Sequence, residues 1–352
     1  MIKQSYELEL ITPCFCGGAE PEKQAEIRSS SVRGQLRWWV RVLGGFKSLA
    51  KQGYTLRQQE DLIFGAVSGN EAHAGNLSVR ATGLSASNIV VDDSAMEATP
   101  GSDRGYLLFP LRPEKKGKPD ERRRDRGVFN KLASTQGQPS FTLQFIWRGD
   151  PAFANDLQAL AAILGNLGAL GFRSRRAMGS LAFCEPKLSM HDALDHFSEP
   201  EHVSVMALPA ANPTDAISQL ARWLQSWRSH GRTGQNQREM NKPGFDFAKS
   251  DHDAQRHGKP GYRAALGLPL LAKYGNWDHS LNDRTRKGTG RFASPVLLRP
   301  HRRKDGSYCA LVIFVEVMKW PQGQHAYLDG RPRAVSTELY DLMKSDDRLL
   351  KY

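Results

Sequence analysis

Three arginines spaced four residues apart form the most informative pattern in this sequence. Arg33, Arg37 and Arg41 lie within the stretch 27–43, which opens with a run of serines at 29–31 and is followed by two glycines. Serines can cap the start of a helix and glycines can end it, so the stretch predicts one short helix. On that helix the arginines form a single ridge. A helix N-terminus and forked guanidinium groups both attract anions, which indicates a site for the phosphates of a nucleic acid.

The same predicted helix has an apolar flank that can face a core. The residues that share this flank are Val32, Leu36, Trp39, Val40 and Leu43. Gly34 costs a helix about 1 kcal/mol relative to alanine, and this favours a position where another backbone or a ligand comes close. The alternative interpretation is an ordinary amphipathic helix whose arginines are only solvated.

A glycine- and arginine-rich loop at 168–180 is the second candidate site. Glycines permit positive φ angles, which let consecutive amides point into one concavity and bind a phosphate. Arg173, Arg175 and Arg176 add charged donors at the same place. We expect this loop to lie opposite the basic helix. The alternative is that its glycines serve only to cap a helix before the next strand.

Two further basic segments leave both binding and simple solvation open. Residues 112–126 hold eight Lys and Arg against four acidic residues, which is typical of a solvated loop and compatible with an arm that touches nucleic acid. The stretch 286–303 includes Arg291 and Arg299 and has the same mixture of basic residues and glycines. Either segment can add to a basic surface or serve only solubility.

The sequence contains no residue pattern that establishes an enzymatic active site. Asp251, His252, Asp253 and His257 include metal-ligand types, but the flanking basic residues favour a polar loop, so we expect no metal and no cofactor. Phosphate-binding, zinc-protease and serine-hydrolase motifs are absent. His230 or His252 as a general base for RNA cleavage is the enzymatic alternative.

Composition narrows the class of partner. The 352 residues carry a formal net charge of +12, which favours a polyanion and places nucleic acid ahead of a membrane surface. No apolar run approaches the roughly 18 residues of a membrane span, and the N-terminus lacks a signal-peptide core, so we expect a cytoplasmic protein. The four cysteines form no paired C-x-x-C sets, so we expect reduced thiols.

Hydrophobic periodicity predicts an α+β fold in two tandem ferredoxin-like domains with insertions. In the first half the predicted elements are strand 6–10, helix 29–43, helix 56–64, strand 76–82, strand 141–147, helix 155–167 capped by Asn155 or Asp156, and strand 181–184. In the second half they are strand 203–208, helix 215–227, a loop at 229–262, strands 264–271, 295–298 and 308–317, and helix 336–344. The βαββαβ order in residues 1–200, with an insertion at 84–140, predicts one unit, and residues 201–352 predict a degenerate second copy.

Three motifs resemble one known family. These are Thr12-Pro13-x-x-x-Gly17-Gly18-Ala19 with Glu26-Ile27-Arg28-x-Ser30-Ser31-Val32-Arg33-Gly34-x-Leu36-Arg37-Trp38-Trp39-x-Arg41, then Leu170-Gly171-x-Arg173-Ser174-Arg175-Arg176-x-x-Gly179-Ser180, and Arg291-Phe292-Ala293-Ser294-Pro295. The first resembles the N-terminal signature of RAMP (repeat-associated mysterious protein) subunits, and it looks most like the first-numbered subunits of Cmr complexes, the type III-B CRISPR–Cas effectors. The second resembles the Gly-rich loop of the family, although Ala177 and Met178 stand where that loop more often has glycine and an aromatic residue.

The resemblance implies a noncatalytic subunit of an antiviral ribonucleoprotein. Such a subunit binds CRISPR RNA and complementary target RNA toward the 3′ end of the guide, beside other RAMP subunits of the Cmr complex, and it needs no membrane. The residues expected to hold RNA are Gly17, Gly18, Arg28, Ser30, Arg33, Gly34, Arg37, Arg41, Arg173, Ser174, Arg175, Arg176, Gly179 and Arg291. The alternatives are a RAMP endoribonuclease that processes or trims CRISPR RNA, and a structural bridge whose basic surface serves only solubility.

Overall fold

A computed structural model describes most of the chain. The described residues are 1–17, 25–68, 71–83, 103–108, 128–129, 139–185, 189–228, 242–257, 260–268, 270–274, 277–281, 292–328 and 331–352. Gly18, Arg291 and His230 lie outside these residues, as does most of the predicted insertion at 84–140 and the basic run 112–126. The fold combines helices with several antiparallel sheets.

The helices and strands have the following bounds. The strands are β1 (Ile2–Leu10), β2 (Cys14–Phe15), β3 (Gly65–Ser68), β4 (Glu71–Ala74), β5 (Leu77–Thr82), β6 (Val128–Phe129), β7 (Ser140–Trp147), β8 (Leu181–Phe183), β9 (Val203–Ala210), β10 (Leu270–Tyr274), β11 (Trp277–Leu281), β12 (Val296–Arg302), β13 (Tyr308–Val315), β14 (His325–Leu328), β15 (Arg331–Ala334) and β16 (Leu350–Lys351). The helices are α1 (Ser29–Val42), α2 (Lys47–Lys51), α3 (Leu56–Phe64), α4 (Asp103–Leu107), α5 (Ala154–Leu167), α6 (Met190–Leu194), α7 (Pro213–Arg228), α8 (Phe245–His257) and α9 (Glu338–Lys344).

The chain divides into two compact units. The first comprises Met1–Val203, Pro209–Ser218 and Leu298–Leu311, and the second comprises Ser204–Leu208, Gln219–Leu297 and Val312–Tyr352. None of the helices in the described part of the chain has the length and apolar character that crossing a membrane requires.

The first sheet has the strand order β5-β7-β1-β8, and all its neighbours are antiparallel. Alternation explains its two central strands. In β1, Tyr6 and Leu8 are buried, whereas Ser5 and Glu7 are exposed and Glu9 is half-buried, and β7 buries every second residue from Phe141 to Trp147. The strands and helices predicted for this half are confirmed, with bounds that differ by a few residues.

Helix α5 departs from the prediction at its start. Asp150 accepts a hydrogen bond from the Ala152 amide (2.9 Å) and caps a 3₁₀ turn, Pro151–Phe153, that runs directly into α5. Asp156 is therefore not a cap. It is buried, and its carboxylate contacts His196 Nδ1 (2.7 Å) and the Ser48 hydroxyl.

A second four-stranded sheet has the order β12-β13-β9-β16. Its strands belong to the series β9, α7, β12, β13, α9 and β16. The strands predicted at 203–208, 295–298 and 308–317 and the helices predicted at 215–227 and 336–344 are confirmed, whereas β16 was not predicted. β16 pairs antiparallel with β9 through Leu350 and Lys351.

Three features of the second half differ from the prediction. Helix α8 lies inside the predicted loop 229–262, a 3₁₀ helix at Arg263–Leu266 replaces the start of the predicted strand 264–271, and β10, β11, β14 and β15 form a further sheet. The polar composition of α8 hides its period, because Phe245 and Ala248 are its buried apolar residues among the described side chains.

Candidate nucleic-acid interface

Helix α1 positions the arginine ridge by burying its apolar flank. All five residues of the predicted stripe are buried. The prediction that serines cap the helix is wrong, because the N-cap is Arg28 and no side chain accepts a hydrogen bond there. Ser29 instead accepts one from the Ala81 amide of β5 (3.1 Å), which ties the first turn to the sheet. Gly44 and Gly45 follow the helix with positive φ, as predicted.

The ridge faces helix α3 and is held by one carboxylate. Glu60 Oε1 accepts hydrogen bonds from Arg37 Nε and Arg41 Nη2, both at 2.6 Å, and Arg41 Nε donates to Oε2. Arg33 donates to the Phe64 carbonyl at the end of α3. The ridge is therefore engaged by groups of the protein itself along its whole length.

These contacts keep the charges of the cluster in place. Burial acts to raise the pKa of Glu60, but hydrogen bonds from Arg41 and Arg37 outweigh it and hold that pKa below its ordinary value. The same hydrogen bond raises the pKa of Arg41, against the opposing effect of burial. Glu60 is 7% exposed, whereas the side chains of Arg37 and Arg41 are 34% and 57% exposed. The carboxylate thus lies beneath two guanidinium groups that remain open to solvent.

A groove of about 1230 Å³ runs along this ridge, and we call it the α1–α3 groove. Its lining includes Arg33, Arg37 and Arg41 of α1, residues of α3 such as Glu60 and Phe64, and the β3–β4 hairpin. Sequence reasoning did not foresee α3 and the hairpin as the neighbours of the ridge. The capping box formed by Thr55 and Gln58 fixes the start of α3.

The loop 168–180 adopts the left-handed backbone that its glycines suggested. Gly171 and Gly179 have φ of 80° and 63°, and Arg173 and Ala177 also have positive φ (62° and 69°). Ala177 thus has a backbone conformation that favours glycine, the residue type that the family resemblance leads one to expect here. A left-handed conformation costs a residue other than glycine about 1–2 kcal/mol.

The phosphate-nest interpretation of this loop is wrong for the amides whose partners the structure shows. The Phe172, Ala177 and Gly179 amides donate to the carbonyls of Phe15 (2.7 Å), Leu298 (2.9 Å) and Pro13 (2.8 Å). A Cβ on Gly179 would lie 1.9 Å from the Leu170 carbonyl oxygen. Both Gly179 and Arg176 are buried. Both support the loop from inside in this structure, and their contact with RNA stays a prediction from the sequence.

Arg175 brings this loop to helix α1. Its guanidinium carbon lies 5.1 Å from the centroid of the Trp38 ring, within the range of a cation–π contact. Burial lowers the pKa of Arg175. Arg173 of the same loop donates from Nε to the Leu107 carbonyl (2.7 Å), and Ser174 is half-buried. The two arginine-bearing segments predicted to lie together do meet.

The outer face of α1 connects the groove to Arg175. At 100° per residue, Ser30, Arg41 and Gly34 fall in that order between Arg37 and Trp38. Ser30 and Gly34 are exposed, and apart from its chain neighbours and the backbone of its own helix, no heavy atom of the described residues lies within 4 Å of where a Gly34 Cβ would stand. We define the outer face as these residues with Trp38. Gly34 leaves open surface there, and no other part of the described protein comes close to it.

The remaining predicted residues are placed less completely. Arg28 is exposed just before α1, and its Nη2 lies 3.5 Å from the Gly17 carbonyl oxygen. Gly18 and Arg291 lie outside the described residues. Sequence reasoning missed Trp38 and Glu60. The tryptophan pair at 38–39 beside Gly34 was a visible signal for the first, whereas nothing in the local sequence marked Glu60.

Two basic residues of the second half have structural roles. Arg299 is 1% exposed and donates to the carbonyls of Gly165 (2.7 Å), Gly168 and Leu181. Arg302 pairs with Glu9 and donates to the Phe183 carbonyl. Arg299 is therefore neither a solvated loop residue nor an RNA ligand.

Within the residues the structure describes, no group of three or more His, Cys, Asp or Glu side chains is arranged to hold a metal ion. Asp251 lies in α8 and accepts hydrogen bonds from the Tyr262 amide (2.7 Å) and Arg263 Nε (2.6 Å). The side chains of His252, Asp253 and His257 lie outside the described set.

Known proteins share the fold of this chain, and a family model matches its sequence. The crystal structure of Cmr1 from Pyrococcus furiosus in its apo form superposes with a TM-score of 0.54 at 17% identity, covering 98% of this chain and 96% of that one. The CRISPR system Cmr subunit Cmr1-2 of Pyrococcus furiosus is 25% identical over 197 residues, which span 51% of this chain and 95% of that protein. A chain of the type III-B Cmr-beta assembly bound to cognate target RNA matches with a TM-score of 0.46 at 10% identity, over 96% and 97% of the two chains.

The family model of the RAMP superfamily matches residues 7–182, half of the chain. The chain belongs to the RAMP superfamily. Its resemblance to the first-numbered Cmr subunit, expected from its motifs, is confirmed by the curated relative.

Proposed function

We propose that this chain is a noncatalytic RNA-binding subunit of a type III-B CRISPR (Cmr) effector ribonucleoprotein. It binds CRISPR RNA and complementary target RNA toward the 3′ end of the guide, beside other RAMP subunits, and acts in antiviral defence in the cytoplasm. The observation that carries the proposal is the meeting of Arg175 with Trp38 on α1, which joins two distant cationic segments into one surface. The name of the relative, a Cmr subunit, supports the assignment to that complex.

We also propose that the chain consists of two tandem ferredoxin-like domains, residues 1–200 and 201–352. Each of these domains supplies a βαββαβ series. In each sheet the strands of that series take the spatial order second, third, first, fourth. The same order in both sheets supports a duplicated architecture.

The surface is suited to phosphates rather than to base edges. Guanidinium groups and exposed hydroxyls at the start of a helix position a nucleic-acid backbone without reading its sequence. In a guide–target system, base pairing supplies the sequence specificity. We therefore assign RNA contact to the outer face of α1, to Arg28, Arg33, Arg37 and Gly17, and to the Arg173–Arg175 segment; Gly18 and Arg291 stay predictions from the sequence.

A salt titration of RNA binding tests the proposal. The full chain is titrated against a short labelled single-stranded RNA over a range of salt concentrations. We expect affinity to fall steeply with salt, and Arg37→Ala to reduce the slope of log K against log salt by about 0.7 for each lost phosphate contact. Arg148→Ala removes the same charge at a residue that is not assigned to the interface, and it is the matched control. Arg148 follows β7 and donates to the Ser78 hydroxyl of β5. An affinity that salt leaves unchanged, or equal effects of the two variants, would contradict the proposal.

A further inference from the structure

The position of Glu60 raises the question of what a buried carboxylate does at the centre of a cationic surface. We propose that Glu60 is a positioning residue, which holds Arg37 and Arg41 in the arrangement that receives RNA phosphates in the α1–α3 groove. This inference rests on the RNA-binding function proposed above.

The hydrogen bonds divide the two guanidinium groups into an inner and an outer part. Glu60 accepts hydrogen bonds from Nε of Arg37 and from Nε and Nη2 of Arg41. Among the described residues, the two Nη groups of Arg37 and Nη1 of Arg41 have no hydrogen-bond partner. Because these donors belong to side chains that stay 34% and 57% exposed, a phosphate can bind them without displacing Glu60.

The carboxylate of Glu60 offsets the repulsion between the arginines and orders their side chains. Like charges four residues apart on a helix repel each other, so Arg33, Arg37 and Arg41 would spread apart if they had no counter-ion. Glu60 keeps Arg37 and Arg41 side by side on a shared oxygen. Ordering two arginine side chains before the ligand arrives removes a cost that binding would otherwise carry.

Burial argues against the opposite role, in which Glu60 imitates a phosphate and must be displaced. A displaced carboxylate has to reach water, but Glu60 is 7% exposed beneath the two guanidinium groups. A competitor would have to be readily exchanged for a phosphate, whereas Glu60 is almost completely buried and accepts hydrogen bonds from both arginines. The two roles predict opposite signs when its charge is removed.

Asp61 provides a matched control for that sign. It is the next residue of α3, it also lines the groove, and it pairs with Arg57 (3.5 Å) rather than with the ridge. Glu60→Gln and Asp61→Asn therefore remove the same charge from the same groove. Only the first removes the counter-charge that Arg37 and Arg41 share.

The experiment measures the affinity of the full chain for a short labelled single-stranded RNA, with thermal unfolding to verify that each variant is folded. We expect Glu60→Gln to weaken binding about tenfold, since the neutral amide lacks the counter-charge that orders the two arginine side chains. Asp61→Asn is expected to leave affinity unchanged or to strengthen it slightly, because an exposed pair contributes little. Binding of Glu60→Gln that equals or exceeds that of Asp61→Asn would overturn the inference.

A second background separates positioning from general support of the fold. In the Arg37→Ala/Arg41→Ala variant, Glu60→Gln is expected to have no further effect on RNA affinity, since it acts only through these two arginines. A further loss there would overturn the positioning role. If the double arginine variant itself binds RNA like the wild type, the RNA-binding function of the ridge fails. If it binds weakly while Glu60→Gln binds normally, only the role of Glu60 fails.

Discussion

The guanidinium group of Arg175 lies over the ring of Trp38, 5.1 Å from its centroid. The first residue belongs to the loop after α5 and the second to helix α1, so this contact joins two segments that are remote in the sequence. Trp38 also meets Trp39 edge-on, with ring centroids 4.7 Å apart. Because Trp39 is buried, the contact connects the candidate interface to the core of the first unit.

The contact between Arg175 and Trp38 predicts an energetic coupling that a double-mutant cycle can measure. We expect Arg175→Ala and Trp38→Ala to be non-additive in the free energy of unfolding by about 0.5–2 kcal/mol, the range of a partly desolvated cation–π pair. Chemical denaturation of the four proteins gives the value. Arg148→Ala combined with Trp38→Ala is the control and should be additive. Additivity of the Arg175 pair would show that the two segments do not support each other.

Gly34 predicts opposite effects on stability and binding. Gly34→Ala is expected to raise the free energy of unfolding by about 1 kcal/mol, because the new methyl group enters open space on a helix. It is expected to weaken RNA binding several-fold, because the same methyl group occupies the outer face of α1. Thermal unfolding and RNA titration measure the two effects. Gln35→Ala, which adds no atom to that face, should leave affinity unchanged. Unaltered affinity of Gly34→Ala would mean that RNA does not reach this surface.

Substitution of the buried Arg299 is expected to cause a large loss of stability. Arg299→Met is expected to lower the free energy of unfolding by at least about 3 kcal/mol, because the carbonyls of Gly165, Gly168 and Leu181 lose their buried donor. Lys304→Met, at an exposed position a few residues further on, should change it by no more than about 0.5 kcal/mol. Chemical denaturation distinguishes the two. A mild effect of Arg299→Met would contradict the structural role assigned to this arginine.

His301 predicts a pH dependence of stability in the acidic range. Burial, together with the charges of Arg299, Arg303 and Arg302, lowers the pKa of His301 to about 3 from an ordinary value of 6.5. Between these values the unfolded chain takes up a proton that the folded chain does not, so stability falls as pH falls. The slope from this residue is at most about 1.4 kcal/mol per pH unit.

The measurement compares wild type with His301→Gln by chemical denaturation at several values between pH 6.5 and pH 4. The variant is expected to lose stability less steeply as the pH falls through this window. His325, which is exposed, provides the control substitution His325→Gln. Parallel curves for wild type and His301→Gln would refute the assignment.

The elements with regular periodicity could be predicted from the sequence, and the interface could be predicted only in part. The stripe of α1 and the alternation of β1 and β7 are local patterns that report directly on burial. Strand β12 buries almost every residue, Arg299 and His301 included, so alternation does not mark its faces. A run of basic residues there resembles a surface segment, although its charge is satisfied by carbonyls more than a hundred positions away.

The contacts of the glycine-rich loop could likewise not be predicted from its local sequence. The positive φ angles of Gly171 and Gly179 follow from residue type, whereas those of Arg173 and Ala177 do not. The hydrogen-bond partners of the loop amides are carbonyls that only the tertiary fold brings close. The role of Glu60 also depends on the tertiary fold. Its position within α3 is that of an ordinary polar residue, and only the packing of α3 against α1 brings its carboxylate to Arg37 and Arg41.

The fourth strand of each βαββαβ series is very short. β8 has three residues and β16 has two, and each stands at the edge of its sheet. An edge strand recruits further chains through its unpaired N–H and C=O groups, and so short a strand offers few of them. Backbone ladders between copies are therefore disfavoured at these two edges, which limits aggregation there. A neighbouring subunit that docks at either edge has to be recognised by its side chains.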